Sequence, residues 1–490
     1  MTKNLLIISR ILAVFLVLML SSCAGIINPY LGLLGYDEEA VRKQASYIMD
    51  YSGQKGIKAG IRNTADYLTD KPEPASLQVP AEMLSAAKKQ PAKNLEPLVA
   101  HLVKDTDNDF LKVKILHDFL IYNVKYDYPA FSSNRIPDQS YISVFSRGTG
   151  VCAGYSALFK ALCEMADIRC QVINGYGRGV GYNPADDNEK IYQQHAWNAV
   201  QIEGGWYFVE ATWDSCNIGF GDAYSDKWLF PSPEIFSCSH LPDMDKWQLL
   251  ERPVKVKEFV SAARLEPVME RILSKRPDRI EKISSIDGEI LLILPPVNKS
   301  YVLTGIITAI DKKGMEKDKK FTELYIEHGN EKTVIRGIPP GKGLYLMRLF
   351  YTARDENFDP VKGFKSKFAG EACFDNKKVS DKRLPSAGGI ASANSFTLIE
   401  PQYGPLTKGE KCVIHFLVQG IDRVYVKENN IFVEIIPIND RGEFIINSIP
   451  GSGISVNNEK FFHVFVKTGG KYYTSLVSFP VREAASGKKK

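Results

Sequence analysis

Gly150-Val151-Cys152-Ala153-Gly154-Tyr155-Ser156 is the stretch that decides the fold, because it runs directly into a helical pattern. Ala157, Leu158, Ala161, Leu162, Met165 and Ala166 recur at the spacing of one buried helix face. Cys152 therefore falls at the helix start, where backbone N–H groups without intrahelical partners and the macrodipole favour an anion. A thiol so placed is biased toward the reactive thiolate. Cys163, farther along the same helix, reads as an inert buried thiol.

Forty-odd residues on, two strand-like runs follow one another, Gln194 to Glu203 and Trp206 to Asp214. Gly204-Gly205 between them is a two-residue hairpin signal. With those glycines as the turn, His195 falls directly opposite Asp214, and such cross-strand pairs have Cβ atoms about 4.5–5.5 Å apart. Cys152, His195 and Asp214 then supply a thiolate nucleophile, an imidazole that takes and returns the proton, and a carboxylate that orients the ring. The backbone N–H of Cys152 is the natural first donor to an oxyanion, and the second donor stays open.

At these positions the sequence resembles the transglutaminase-like superfamily, in the order Cys–His–Asp. The likeness is closer to the kyphoscoliosis-peptidase and cytokinesis-associated branch. It is carried by Gly150 to Ser156, Asn174-Gly175-Tyr176-Gly177-Arg178-Gly179, His195-Ala196-Trp197-Asn198, Thr212-Trp213-Asp214, and His240-Leu241-Pro242 through Lys246-Trp247-Gln248-Leu249-Leu250. The resemblance implies a papain/transglutaminase-like cysteine-nucleophile core followed by immunoglobulin-like β domains. Some members of the branch lack triad residues and act as scaffolds.

Composition supports a multidomain α+β protein. At 490 residues the chain exceeds one hydrophobic core, and its hydrophobic and charged fractions of 44% and 24% are those of a folded protein. A formal net charge of +5, much of it in Lys488, Lys489 and Lys490, gives no basic excess for nucleic acid. Beyond Ile280, short β-branched and aromatic runs alternate with Gly, Pro, Asn and Asp turns, the pattern of two β-sandwiches. The expected division is a signal peptide at 1–22, a tether and helical region at 23–94, and the catalytic core at 95–235. A connecting segment at 236–276, immunoglobulin-like all-β sandwich domains at 277–384 and 385–483, and a basic tail at 484–490 complete it.

The N-terminus reads as a targeting segment. Lys3 and Arg10 flank an apolar run, Ile11 to Leu20, that is too short to span a bilayer. Leu20-Ser21-Ser22-Cys23 resembles the lipobox of bacterial lipoproteins, which implies diacylated Cys23 as the new N-terminus. Acyl chains at about 0.8 kcal/mol per buried CH2 hold such a protein on a membrane without spanning it. The expected location is the bacterial cell envelope, facing the periplasm or the exterior.

Seven cysteines remain after Cys23, an odd number, so one stays unpaired within the chain whatever the others do. His101, His117, His240, His328, His415 and His463 show no metal-ligand spacing, and Asp186-Asp187-Asn188 reads as a solvated loop. No cofactor or metal is expected. The leading expectation is a cysteine enzyme acting on amide or peptide bonds through a thioacyl intermediate, a protease or amidase rather than a cross-linking transglutaminase. The competing class is a non-catalytic envelope scaffold. The partners expected are a protein or peptide substrate, the membrane through its anchor, and protein or glycan ligands of the β domains.

Overall fold

The computed structural model describes residues 91–483, apart from 180–181, 186–193, 220–224, 275–282, 284, 356–357, 359–365, 388–395, 429–430, 451–453, 457–458 and 469–471. The expected leader with Cys23, the N-terminal helical region before residue 91, the Asp186-Asp187-Asn188 loop and the basic tail lie outside the described residues.

The first part is helical. Helix α1 (Pro91–Val103) is followed by α2 (Asp109–Asn123), whose N-cap Asn108 accepts from the N–H groups of Phe110 and Leu111. This cap is where α2 starts afresh after α1. Every residue of α2 from Val113 to Ile121 is buried, whereas Tyr122 is exposed. A helix buried all round shows little amphipathic pattern, and α2 lies at the centre of the core. Next come β1 (Lys125–Tyr126), α3 (Tyr128–Ser132), α4 (Tyr141–Arg147), β2 (Thr149–Gly150) and α5 (Cys152–Met165).

Against α5 lies an antiparallel sheet of β3 (Arg169–Gly177), β4 (Gln194–Ile202), β5 (Gly205–Val209) and β6 (His240–Pro242), in the order β5-β4-β3-β6. Buried Asn198 on β4 pins helix to sheet by donating from Nδ2 to the Ser156 carbonyl at 3.0 Å. Helix α6 (Ala211–Gly219) packs on α2 and β1. Leu116, Leu120, Tyr155, Leu158, Leu162 and Val200 form the centre of this core, each large apolar side chain contributing about 1.5–3 kcal/mol by burial.

The segment expected to be a connector divides between its neighbours, with β6 in the first sheet and the stretch from Ala263 in the next unit. Its β7 (Arg264–Leu265) pairs with the strand Lys367–Asn376 as the edge of a five-stranded sheet, and Leu265, Met269 and Ile272 enter that unit's core. A four-stranded sheet covers the other side, so the core around Leu303, Ile335 and Met347 is held between two sheets. A second two-sheet unit has its own core, including Phe396, Phe416, Val426, Phe444 and Leu476. Alternation along strands such as Glu289–Leu294, with every second residue buried, is what places one face of each sheet inward. The chain is therefore α+β, with a mixed first part and a sheet-rich remainder.

Candidate active site

Helix α5 begins at Cys152. The turn before it is fixed from one side by Gln139, whose Oε1 accepts from Val151 N–H at 2.9 Å and occupies the space beside Gly154 where a side chain would sit. From the other side, Tyr126 of β1 pairs with Gly150 of β2. Cys152 is half-buried, while Cys163, Cys170 and Cys238 are buried, and none of the six described cysteines is in a disulfide.

His195 stands near the start of β4, opposite Gly175 of β3. Its ring lies close over β3, since a Cβ on Gly177 would come within 3.0 Å of His195 Cδ2 and press on the ring. The neighbouring Gly175 is equally constrained, because a Cβ there would meet the Leu241 carbonyl oxygen at 2.2 Å. These close approaches account for the Gly-rich stretch after Cys170.

The carboxylate partner is a correction to the sequence reading. The tight turn is Glu203-Gly204, with φ of +50° and +80°, and Ile202 pairs with Gly205. That register differs by two residues from the one expected of a Gly204-Gly205 turn. The strand then ends at Val209, and the chain enters α6 at Ala211. Asp214 is carried away on that helix. It is fully buried and is held by His117 Nε2 at 3.2 Å, Ser225 Oγ at 2.6 Å and the Trp228 N–H at 3.1 Å.

Glu210, between strand and helix, takes the place beside His195. Its Oε2 lies 2.6 Å from His195 Nε2, and its Oε1 accepts from the Trp213 N–H at 3.2 Å. The structure thus sets Glu210, and not Asp214, against His195. A sequence signal for Glu210 did exist, since a lone carboxylate in the apolar run Tyr207-Phe208-Val209-Glu210-Ala211 must find a partner when buried.

The Cys152 thiol is among the groups that raise the His195 pKa. With Nε2 engaged by Glu210, Nδ1 is the ring atom left for sulfur. Burial alone would lower the His195 pKa, but the Glu210 charge and the hydrogen bonds to Cys152 and Glu210 override it and raise the value to about 10. Burial likewise opposes ionisation of Glu210, yet His195 and then His240 lower its pKa to about 2. The His195 contribution to stability is therefore complete below its unfolded value near 6.5 and is lost as pH rises through about 10. The Glu210 contribution is complete above 4.5 and is lost as pH falls toward about 2. At neutral pH the stable form of the ring is the imidazolium.

His240, which sequence spacing did not flag, sits beside this pair, with Nε2 3.3 Å from Glu210 Oε2. The candidate metal-binding atoms of His195, Glu210 and His240 lie within 4.8 Å of one another. A cation between them would have to displace the proton shared across the 2.6 Å Glu210–His195 contact, a short charge-assisted hydrogen bond with His240 beside it.

A half-buried thiol at a helix start, a histidine near the start of a strand and a buried carboxylate just past the end of the next strand are the groups this first part presents. Residues 96–211 match the family model described as the transglutaminase-like superfamily, and the chain carries a core of that superfamily. The mouse kyphoscoliosis peptidase is 24% identical over 291 residues, covering 56% of this chain and 41% of the relative. Its human counterpart is 28% identical over 170 residues, covering 34% and 26%, which supports the branch as well as the superfamily. Hillarin of Drosophila melanogaster is 32% identical over 120 residues, covering 21% and 15%. The chain spans less than half the length of each of these relatives.

Proposed function

We propose that this chain is a cysteine enzyme that cleaves amide or peptide bonds through a thioacyl intermediate on Cys152. The observation that carries the reading is His195, which has the Cys152 thiol at one side and the Glu210 carboxylate 2.6 Å from the other. The Cys152 thiolate attacks the carbonyl carbon, and the developing oxyanion is met by backbone N–H groups at the start of α5. The C–N bond breaks as the His195 imidazolium gives its proton to the leaving amine. Water then attacks the thioester, His195 takes its proton, the C–S bond breaks, and the acid is released with Cys152 restored. Glu210 holds the ring in place and stabilises its charged form throughout. Hydrolysis is preferred to cross-linking because two relatives bear the name peptidase.

With p-nitrophenyl acetate, the full chain is expected to release a burst of p-nitrophenol equal to one per protein, leaving an acetyl group on the Cys152 peptide. Cys152→Ser abolishes both signals. A wild-type protein with no burst and no acetylated Cys152 points instead to the non-catalytic scaffold.

We further propose that the chain is exported and held on the bacterial cell envelope by acylated Cys23, and that its two β units are immunoglobulin-like. No helix among the described residues is long and apolar enough to cross a membrane. Cys23→Ser is expected to leave the protein unprocessed or to release it from membranes. A mutant that is still processed and membrane-bound contradicts the anchor.

A further inference from the structure

We infer that His240 is a positioning residue for this site, one that holds the Glu210 carboxylate in the orientation His195 requires. This rests on the reading of Cys152, His195 and Glu210 as the reactive group. In the sheet, β3 lies between the strands that carry the two histidines, with Gly175 opposite His195 and Gly177 opposite His240. Neighbouring strands are about 4.8 Å apart, so residues two strands apart normally keep their rings separate. Here the missing side chain of Gly177 leaves a gap over which the rings converge to 5.5 Å between centroids, and both face Glu210 Oε2.

The His240 ring is fixed on every side. It stacks on Phe236 at 4.0 Å with an interplanar angle of 5°, meets Trp213 at 4.3 Å and Trp197 at 5.0 Å, and is 1% exposed. Nδ1 lies 2.9 Å from Ser239 Oγ. A bare Nε2 lone pair facing a carboxylate would be repulsive, so the fitting tautomer has Nε2–H turned to Glu210 and Nδ1 accepting from the Ser239 hydroxyl, which then gives its proton to the ring in place of the more distant Phe236 carbonyl at 3.3 Å. Burial first, and then the neighbouring charges of His195 and Arg264, oppose a second proton on His240 and outweigh Glu210, lowering its pKa to about 4. A neutral N–H donor can steady Glu210 without competing as a second cation for its charge. The 3.3 Å contact is not aligned for a hydrogen bond in this state. Its effect is therefore an electrostatic restraint on Oε2, while the short bond stays with His195.

Two substitutions separate this role from packing. His240→Phe keeps the stacked ring and removes the N–H, whereas His240→Gln keeps an N–H donor and loses the ring. The measurement is the pH dependence of iodoacetamide alkylation at Cys152 in the full chain, read by peptide mass spectrometry, with melting temperature recorded for each variant. Wild type is expected to react at pH 5 well above a model thiol. His240→Phe should lower that pH 5 rate about tenfold while melting near wild type, and His240→Gln should retain most of it. A wild-type profile in His240→Phe, or equal losses in both variants, overturns the role of His240 while the Cys152 site stands. Wild-type Cys152 that reacts as a model thiol overturns the site reading and this inference together.

Discussion

Glu210→Gln lowers the rate of Cys152 acylation by about 10³ to 10⁴, with the fold intact. Gln fits the same space and can still take the Trp213 N–H on its carbonyl oxygen. It cannot carry the charge that holds His195 as an imidazolium. Removing the carboxylate of a histidine-centred triad while keeping its shape costs about 10⁴ in turnover in the best-studied serine case, because the ring then favours the wrong tautomer. The same logic applies to a ring whose Nε2 must face an acceptor so that Nδ1 faces sulfur. Burst amplitude and rate with p-nitrophenyl acetate check it, and Asp214→Asn serves as the comparison, expected to react close to wild type. A large loss in Asp214→Asn with none in Glu210→Gln would restore the register first expected from the sequence.

Asp214→Ala has its effect on stability instead. Asp214 belongs to a buried charged network behind the site. Lys114 Nζ lies 2.8 Å from Asp118, His117 Nδ1 lies 2.9 Å from Asp118, and His117 Nε2 lies 3.2 Å from Asp214. Burial disfavours the charged form of His117, but Asp118 and Asp214 reverse this and raise its pKa to about 9. Taking one partner from a buried ion pair leaves the other uncompensated, at a cost of about 3–5 kcal/mol. For a domain of this size that lowers the melting temperature by on the order of 10 °C. The His117 share of stability is present below its unfolded value near 6.5 and fades as pH rises through about 9. The loss caused by Asp214→Ala should therefore be larger at pH 6 than at pH 10. Equal melting temperatures for wild type and variant at pH 6 count against the network.

Much of the architecture could be read from sequence because it rests on local pattern. The helix after Cys152 announces itself by its apolar spacing, and the strand around His195 by its run of apolar and aromatic residues. The sheet-rich half follows from alternation. The failure at Asp214 came from one turn. Gly204-Gly205 and Glu203-Gly204 are both acceptable hairpin turns, and a non-glycine residue at positive φ, as Glu203 adopts, is the less expected of the two. Sliding the turn by one residue on each strand moves the partner of His195 by two, and the strand-to-helix change at Ala211 then removes Asp214 from the sheet altogether. His240 was illegible for a different reason. It reaches Glu210 from a strand added on the far side of β3, a tertiary arrangement that linear spacing does not encode.

The central claim is that Glu210, and not Asp214, completes a reactive pair with Cys152 and His195. The most direct measurement is the protonation of the His195 ring, followed by nuclear magnetic resonance of the full chain labelled with 15N-histidine. Both ring nitrogens should be protonated at pH 8, with the transition at about 10, in wild type and in Asp214→Asn. In Glu210→Gln the transition should move down toward the ordinary histidine range. A wild-type His195 that titrates near 6.5, or a transition that collapses in Asp214→Asn and persists in Glu210→Gln, contradicts the account.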